Sequence, residues 1–354
     1  MMPFTAHLYK WYELHARNLP WRDTCNPYHV WLSEVILQQT QVAQGTAYYH
    51  RFISRFPTVA ALATASEDEV LKLWQGLGYY SRARNLHKAA QQVMGQGGQI
   101  PTDYAALRRL QGVGDYTAAA ICAFAFGLPY AAIDGNFYRV TARYFGIHTP
   151  IDTTEGRKQF KALGEMLIDR KAPARFNQAM MDFGATWCTP RQPRCTECPL
   201  AAECCARAEN QVLQLPVKAK RTAVTTRYFH YIIPVFESEG RAHTVLYGRP
   251  AGDIWTGLFT PPLYETAEPA TADEVAEAIG CDATALVAIA CNLRHQLTHR
   301  TIIASAYRVH LADRTAAQAL FQRISPQHSP NFVPFDSLEN FAVPRLVEKI
   351  FERL

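Results

Sequence analysis

The first 208 residues carry the hydrophobic pattern of consecutive α-helices. Apolar side chains recur every three or four positions, and capping or helix-breaking residues separate the runs. Asn26-Pro27 is typical of a helix start, because asparagine caps free backbone amides and proline fits the first helical turn. Further breaks fall at Pro57-Thr58, at Pro101-Thr102-Asp103 and at Gly127-Leu128-Pro129. The pattern therefore predicts an all-helical domain over residues 1–208.

The remainder of the chain has a different pattern. Residues 209–227 are polar and basic, contain Pro216 and show no sustained period, which is typical of a linker. Beyond them, β-branched and aromatic runs predict strands, and amphipathic segments predict helices. The strands are expected at Tyr228–Phe236, Thr244–Tyr247 and Thr301–His310, and the helices at Ala272–Ile279 and Val343–Leu354. Residues 228–354 are therefore predicted to form a separate α+β domain.

Composition is that of an ordinary globular protein with two domains. The chain has 354 residues, of which 48% are hydrophobic and 19% charged. The longest uncharged stretch, Tyr116–Ile133, is broken by Gly127 and Pro129 and is too short to cross a bilayer. The N-terminus lacks the apolar core of a signal peptide. We therefore expect a cytoplasmic protein that does not enter a membrane.

Positive charge is concentrated in the helical part. The net charge is +5, with 22 Lys and Arg against 16 Asp and Glu over residues 1–208, and 14 against 15 over residues 209–354. A mildly basic domain is compatible with binding to a polyanion such as DNA.

Four of the nine cysteines form a compact group. An odd number of cysteines without a secretion signal argues against a disulfide framework. Four thiolates in one loop suit a soft metal centre, either iron–sulfur or zinc. Structural zinc sites more often use two close cysteine pairs across a longer loop, so the spacing C-x6-C-x2-C-x5-C favours an iron–sulfur cluster. Its ligands would be Cys188, Cys195, Cys198 and Cys204, with Cys205 as a spare thiol.

Gly112-Val113-Gly114 lies between two helical runs. Two glycines around one apolar residue can form a tight hairpin whose amide groups face outward at a helix N-terminus, where they can bind a phosphate. This is the helix-hairpin-helix arrangement, which grips the DNA backbone without reading its sequence. A plain turn between helices explains Gly-Val-Gly equally well.

Two carboxylates are candidates for catalysis. Glu34 has Val30, Trp31 and Leu37 among its helical neighbours, so burial should raise its pKa, as a general acid requires. Asp134 directly precedes the helical run Asn136–Phe145, where a helix N-terminus favours the charged carboxylate. A simple N-cap explains Asp134 as well or better. Two pKa values shifted in opposite directions would suit the acid and the charge stabiliser of glycosidic bond cleavage.

Several motifs of the chain carry a resemblance to a known family. The sequence resembles the MutY family of adenine DNA glycosylases, within the helix-hairpin-helix superfamily that includes endonuclease III. The resemblance covers nearly the whole chain and rests on a set of motifs in a fixed order. The motifs are LPW at 19–21, WLSEVILQQTQV at 31–42, GLGYYSRARNLHKAA at 76–90, GVGDYTAAAI at 112–121, IDGNFYRV at 133–140, FNQAMMDFGATWC at 176–188 and the four cysteines.

The resemblance implies a fold and a catalytic centre. It implies an all-α catalytic domain with a [4Fe–4S] cluster, followed by an α+β Nudix-like domain. Glu34 matches the acid that protonates N7 of a flipped adenine, and Asp134 matches the carboxylate that stabilises or traps the oxocarbenium ion. Asn136 and Tyr116 match supporting residues. Bifunctional relatives carry a lysine at the position of Tyr116, so a monofunctional glycosylase without a strong lyase step is expected.

The resemblance also implies how the substrate is bound. The partner would be double-stranded DNA with an 8-oxoguanine:adenine or guanine:adenine mispair, bound by a monomer near the bacterial nucleoid. The inserted side chains would offset the unstacking that base extrusion costs. Trp21 and Arg22 match residues that line the adenine pocket, Gln39, Thr40, Leu77 and Tyr79 match residues around 8-oxoguanine, and Gly112 and Gly114 match the phosphate grip.

The C-terminal domain resembles the Nudix-like domain that this family uses to recognise 8-oxoguanine. Trp255–Pro261 matches its early strand–loop segment, but the metal-binding Nudix box is absent, so the domain should read the lesion and not hydrolyse nucleotides. Leu297-Thr298-His299 stands where many members have Phe-Ser-His. Threonine keeps the hydroxyl and leucine loses the ring, which leaves the strength of the lesion preference open.

Three other functions fit the sequence less well. An endonuclease III-like glycosylase and lyase is disfavoured by Tyr116 and by the extra C-terminal domain. A Nudix hydrolase is disfavoured by the missing box. A DNA-binding scaffold would keep the hairpin and the cysteines, but it would not need Glu34 and Asp134 together.

Overall fold

The computed structural model describes residues 2–219 and 224–354. It divides into two compact units, residues 2–64 with 85–219 and residues 65–84 with 224–354. The sequence boundaries at 208 and 228 did not anticipate that Ala65–Arg84 groups with the C-terminal unit. None of the helices in these described ranges is long and apolar enough to cross a membrane.

The N-terminal part consists of helices, in agreement with the apolar period. Asn26 caps α2 by accepting a hydrogen bond from the Tyr28 amide (2.9 Å), with Pro27 as the first helical residue. The helices are α1 Pro3–His15, α2 Pro27–Leu37, α3 Val42–Arg55, α4 Val59–Thr64, α5 Glu67–Trp74, α6 Ser81–Gly95, α7 Tyr104–Arg109, α8 Asp115–Phe126, α9 Gly135–Phe145, α10 Thr154–Leu167, α11 Pro173–Thr186 and α12 Cys205–Ala208.

An aromatic core joins the helices around the candidate site. Phe4, Trp11, Phe137, Phe160 and Phe183 are buried together, and Cys188, Cys198 and Cys204 pack against them. Burial of such large apolar side chains is the main stabilising contribution to the unit. The core therefore fixes α1, α9 and α11 relative to one another.

Part of the predicted linker belongs to the helical unit. Leu215 is buried in its core, the Ile151 amide donates to the Val217 carbonyl (3.0 Å), and the Ala219 amide donates to Asp152 Oδ1 (2.9 Å). Val212, Leu215 and Val217 pack against the core of the helical unit, whereas Leu213 is exposed. Residues 220–223 of the predicted linker lie outside the described residues, and the first strand begins at Thr225.

The C-terminal unit contains a seven-stranded mixed sheet in its described part. The strand order is β3-β2-β1-β6-β5, with β4 paired to β1 and β7 to β2, and only the β1–β6 pair among these is parallel. The strands are β1 Thr225–Ser238, β2 Arg241–Gly248, β3 Phe259–Thr260, β4 Leu263–Thr266, β5 Val287–Gln296, β6 Arg300–His310 and β7 Asn331–Pro334. The three predicted strands are confirmed within β1, β2 and β6.

Helices cover both faces of the central strands. Phe229, Tyr231 and Ile233 of β1 face Leu346 and Ile350. The intervening Ile232 faces Val275 and Leu320. This alternation is the two-residue period of a strand buried on both sides. The covering helices are α13 Ala272–Ile279, α14 Arg314–Ile324 and α15 Arg345–Phe351; α13 has the predicted bounds and α14 was not predicted.

The hairpin between α7 and α8 depends on one glycine more than on the other. Gly112 has φ of +73°, and an added Cβ would lie 2.6 Å from Asn85 Cβ. Gly114 has φ of −85°, and a Cβ there would meet nothing within 4 Å. Only Gly112 therefore needs to be glycine for local steric reasons.

Gly112→Ala is predicted to lower the free energy of unfolding by about 1–3 kcal/mol, because it combines a left-handed backbone with a clash. Gly114→Ala is the matched control and should change it by less than about 0.5 kcal/mol. Denaturant unfolding of both variants measures the difference. Equal losses would contradict this account of the hairpin.

Candidate active site

A cavity of about 310 Å³ in the helical unit gathers all four predicted catalytic residues and three of the predicted substrate-binding residues. This volume is at the lower end of the range for small-molecule sites. The lining includes Trp21, Arg22, Glu34, Thr40, Tyr116, Asp134 and Asn136. Gln39 lies outside this lining and is exposed, with a left-handed φ of 57°.

Glu34 is a buried acid that is hydrogen-bonded to a tyrosine. Helix α2 points it inward, and its residue is 6% exposed. Tyr116, at the start of α8, donates a hydrogen bond from its hydroxyl group to Glu34 Oε2, with 2.5 Å between the two oxygens. Burial raises the pKa of Glu34 to about 7, and the nearby Asp134 also raises it, whereas the Tyr116 hydrogen bond and Arg22 lower it. The raised pKa predicted from the apolar neighbours of Glu34 is confirmed.

Asp134 is the N-cap of α9. Its Oδ1 accepts a hydrogen bond from the Phe137 amide (2.8 Å), and its Oδ2 accepts one from Asn136 Nδ2 (2.6 Å). Burial nevertheless raises the pKa of Asp134, although these hydrogen bonds and Arg139 lower it. The expectation that the pKa values of the two carboxyls shift in opposite directions was therefore wrong, because burial outweighs the helix N-terminus at Asp134.

Asn136 is fixed by α11 and by Arg139. Its Oδ1 accepts a hydrogen bond from Arg139 Nη2 (2.7 Å), which also donates to the Gly184 carbonyl (2.7 Å). A Cβ on Gly184 would lie 2.4 Å from Asn136 Cβ, so only glycine fits there. The side-chain amide of Asn136 is thereby held against Asp134.

Sequence reasoning missed three polar residues of this region. Arg17 and Gln178 line the cavity, and Asp182 binds both Arg17 and Arg22 behind it. Gln178 Oε1 accepts a hydrogen bond from the Tyr12 hydroxyl at 3.0 Å. Gln178 and Asp182 are one turn apart on α11, within the motif at 176–188. That spacing places them on one helix face but does not show which face is inward.

The hairpin presents an uncapped helix N-terminus. Gly114 is the N-cap of α8 and provides no side-chain cap. Arg108 donates to the Val113 carbonyl (2.6 Å) and forms an ion pair with Asp115 (2.7 Å), which stiffens the turn. Backbone amides at such a terminus are suited to phosphate oxygens.

The four predicted metal ligands line one further cavity of the helical unit. They are Cys188, Cys195, Cys198 and Cys204, and the described lining contains arginines but no carboxylate or imidazole. Arg143 Nη1 lies 3.3 Å from Cys188 Sγ. No three His, Cys, Asp or Glu side chains within residues 2–219 and 224–354 are arranged to hold a single metal ion. A sulfur-rich, cationic lining suits an anionic metal–thiolate cluster.

Five other predicted substrate residues line a cleft of about 690 Å³ within the C-terminal unit. The Tyr79 hydroxyl lies 2.6 Å from Thr298 Oγ1, in the turn between β5 and β6. Tyr79 is 47% exposed and has a left-handed φ of 47°. The predicted residues in this lining are Leu77, Tyr79, Leu297, Thr298 and His299. Trp255, which has φ of 60°, also lines the cleft.

Comparison with known families gives two matches along the chain. Residues 32–166 match the HhH-GPD superfamily of base excision DNA repair proteins. Residues 235–353 match the NUDIX domain family.

Relatives from a mammal and from bacteria are adenine DNA glycosylases. The chain is 42% identical to the adenine DNA glycosylase of Homo sapiens over 222 residues, which is 60% of this chain but 41% of the human protein's length. It is 32% identical to the adenine DNA glycosylase of Buchnera aphidicola subsp. Schizaphis graminum over 265 residues, covering 74% of this chain and 75% of that protein.

Solved structures resemble part of the chain. A thermostable thymine-DNA glycosylase superposes with a TM-score of 0.55 at 30% identity, covering 58% of this chain and 95% of its own. Endonuclease III in a non-covalent DNA complex has a TM-score of 0.52 at 22% identity, covering 58% of this chain and 94% of its own, which supports the fold alone.

The ionised form of Glu34 should destabilise the folded protein at high pH. The unfolded side chain loses its proton near its usual pKa of 4.5, and the folded one near 7. This contribution to stability is therefore lost as pH rises from about 4.5 through 7, by about 3 kcal/mol in total. Glu34→Gln lacks this ionisation, so the stability of the variant relative to the parent should rise between about pH 4.5 and 7 and level off at higher pH.

Unfolding by denaturant at several pH values measures this difference. Glu13→Gln, an exposed α1 variant, should show no comparable rise. A Glu34→Gln difference that does not change with pH would contradict the raised pKa.

Proposed function

We propose that this chain, which belongs to the adenine DNA glycosylase family, hydrolyses the N-glycosidic bond of adenine mispaired with 8-oxoguanine or guanine in double-stranded DNA. The observation that carries the proposal is the buried Glu34, hydrogen-bonded to Tyr116 beside Asp134 in one cavity. Enzymes that act on one base take it out of the duplex into such a pocket.

Glu34 would supply the proton that makes adenine a leaving group. With a pKa of about 7, it is half protonated at neutral pH and can donate a proton to N7 of the base. The Tyr116 hydroxyl holds the carboxyl in place through Oε2. Breaking the glycosidic bond then leaves positive charge on the sugar, and the bonding electrons remain with the protonated adenine.

Asp134 would stabilise that positive charge. Its two hydrogen bonds support the ionised form against burial, and they fix the carboxylate at the cavity wall. An anion facing an oxocarbenium ion lowers the barrier, as in other glycosidic hydrolyses. Water then adds to the sugar and gives up one proton to the Glu34 carboxylate, which restores the acid and completes the reaction.

Strand cleavage is not expected to follow. A lyase of this superfamily would need an amine at position 116 to form a Schiff base. The phenol of Tyr116 cannot form one, and it is engaged with Glu34. We therefore propose a monofunctional enzyme.

Cys188, Cys195, Cys198 and Cys204 would hold a [4Fe–4S] cluster. The family relationship and the four thiols lining one cavity with Arg143 support this assignment. Bound there, the cluster would staple the loop after α11 and supply a redox-active centre. The step chemistry described above uses none of its atoms.

The cleft of the C-terminal unit would receive 8-oxoguanine. The Tyr79 and Thr298 hydroxyls are within hydrogen-bond distance of each other and can exchange this contact for the lesion's polar edge. Leu77, which is 8% exposed, provides an apolar wall. The hairpin amides at Gly112 and Gly114 would hold the DNA backbone, as helix N-termini do.

Adenine release from duplexes with A opposite 8-oxoguanine tests the proposal. The parent protein should release adenine in single turnover, with a rate that falls above pH 7 as Glu34 ionises. Glu34→Gln should lower the rate by at least about 100-fold. Asp134→Asn should also be strongly impaired.

The control for both is Glu13→Gln, which alters an exposed pair and should retain the parent rate. Borohydride added during the reaction should trap no covalent protein–DNA adduct. Adenine left in place by the parent protein, or robust trapping, would refute the proposal.

Lesion preference should depend on Thr298. Thr298→Val removes the hydroxyl and keeps the shape, so the ratio of excision rates opposite 8-oxoguanine and opposite guanine should fall by about 5-fold or more. Thr226→Val changes an exposed strand residue outside the cleft lining and should leave the ratio unchanged. An unchanged ratio for Thr298→Val would exclude this role.

A further inference from the structure

Asp182 is a buried carboxylate enclosed by two arginines. Its side chain is 0% exposed on α11. Oδ1 accepts hydrogen bonds from Arg17 Nε (2.6 Å) and Arg22 Nη2 (2.7 Å), and Oδ2 accepts them from the Arg17 amide (3.0 Å) and Arg22 Nη1 (2.8 Å). Burial alone would raise the pKa of Asp182, but the bonds and charges of Arg22 and Arg17 hold it below its usual value. Asp182 is therefore an anion at neutral pH.

Arg22 connects this buried anion with the catalytic cavity. Its guanidinium donates one hydrogen bond from each Nη atom to the two oxygens of Asp182, and Nη1 also donates to the Arg17 carbonyl (3.0 Å). Arg22 lines the same cavity as Glu34, and its charge is among the influences that lower the pKa of Glu34. Asp182 itself is absent from the described cavity lining.

We infer that Asp182 is a positioning residue, which holds the Arg22 guanidinium at the cavity wall beside Glu34 so that adenine enters a preformed site. This inference rests on the proposed function. The inference goes beyond the proposed function because it assigns a role to a residue that contacts neither the base nor the sugar.

The two-pronged geometry explains why a carboxylate is used. A planar guanidinium bound through both Nη atoms to one carboxylate has little freedom to rotate. Arg22 lies in the short segment Pro20–Arg22, whereas Asp182 lies in α11, a helix of 14 residues packed in the aromatic core. The rigid helix therefore fixes a side chain that its own short segment would leave mobile.

A purely structural role is the rival explanation. A buried ion pair can be replaced without loss of stability in some proteins, and removing one partner is destabilising wherever the pair lies. Stability measurements alone therefore do not separate the two roles. The two roles are separated by whether the effect of an Asp182 substitution on the excision rate requires Arg22, and by whether it changes the ionisation of Glu34.

The experiment is a double-variant cycle in the full-length protein. Asp182→Asn and Arg22→Met should each lower the single-turnover excision rate about 10- to 100-fold, measured per active site. The variant carrying both changes should be no more than about 3-fold slower than either alone, because Asp182 acts through Arg22. Independent effects would multiply instead, and multiplication would overturn the inference.

The pH profile provides a readout that loss of folding alone does not move. Asp182→Asn should shift the alkaline limb of the excision rate to higher pH, because a guanidinium released from the cavity wall no longer stabilises the ionised Glu34. Arg22→Met should give the same shift. The other titratable groups in the described cavity lining are Arg17, Cys25, Tyr116 and Asp134, all unchanged in these variants. An unshifted limb for Asp182→Asn would also overturn the inference.

The exposed pair Arg175–Glu13 (2.6 Å) is the matched control, since it is likewise an arginine–carboxylate pair with one partner on α11. Glu13→Gln should keep the excision rate of the parent protein and the position of its alkaline limb on the pH axis.

If Asp182→Asn fails to fold, a variant of Arg22 tests the inference instead. Arg22→Lys keeps a positive charge near Asp182 but lacks the planar fork, so it should lose as much rate as Arg22→Met. A parent-like rate for Arg22→Lys would overturn the inference.

Failure of the proposed function would be recognised separately. If the parent protein leaves adenine in place, the proposed function fails, and carbon NMR of the Glu34 carboxyl still decides the inference. An equal Glu34 pKa in Asp182→Asn and in the parent would then overturn it.

Discussion

The removal of one carboxyl group from water is the constraint on which the catalytic cavity depends. Glu34 is placed by a helix among apolar neighbours, and burial raises its pKa to about 7. A buried carboxyl is tolerated when its polar atoms are bonded, and Tyr116 provides that bond. The same burial that disfavours its ionisation makes Glu34 a proton donor at neutral pH.

The aromatic core holds the helices that position the residues of the catalytic cavity. It packs α1 and α9 against α11, and α11 presents Gly184 to Asn136 and Asp182 to Arg22. Side chains from distant parts of the chain thereby act on one cavity wall. The C-terminal unit has its own core around β1 and β6, and it brings Tyr79 and Thr298 together within itself.

The sequence was most informative where local signals are strong. α13 has the predicted bounds because Thr271 and Glu274 form a capping box and Gly280 ends the helix. α14 carries comparable signals, with Asp313 as N-cap and Leu320 and Phe321 inward, and could have been found. β5 could not, because its side chains are largely exposed and its pairing with β6 shifts register twice.

The candidate site residues were likewise predictable only where a local pattern indicates their environment. The burial of Glu34 was visible in its helical neighbours, but the raised pKa of Asp134 depends on tertiary burial that no local pattern reports. The bonds between Arg22 and Asp182 join residues 160 positions apart, so spacing could not reveal them. The division into units likewise depends on contacts made by Ala65–Arg84 with sequence-distant residues.

The most direct test of this account is a pH titration of Glu34 in the full-length protein, in which carbon NMR monitors its side-chain carboxyl. The account predicts a pKa of about 7, set by burial in the cavity. A pKa near 4.5, the ordinary value for glutamate, would show that the cavity does not hold a protonated acid at neutral pH and would contradict the account.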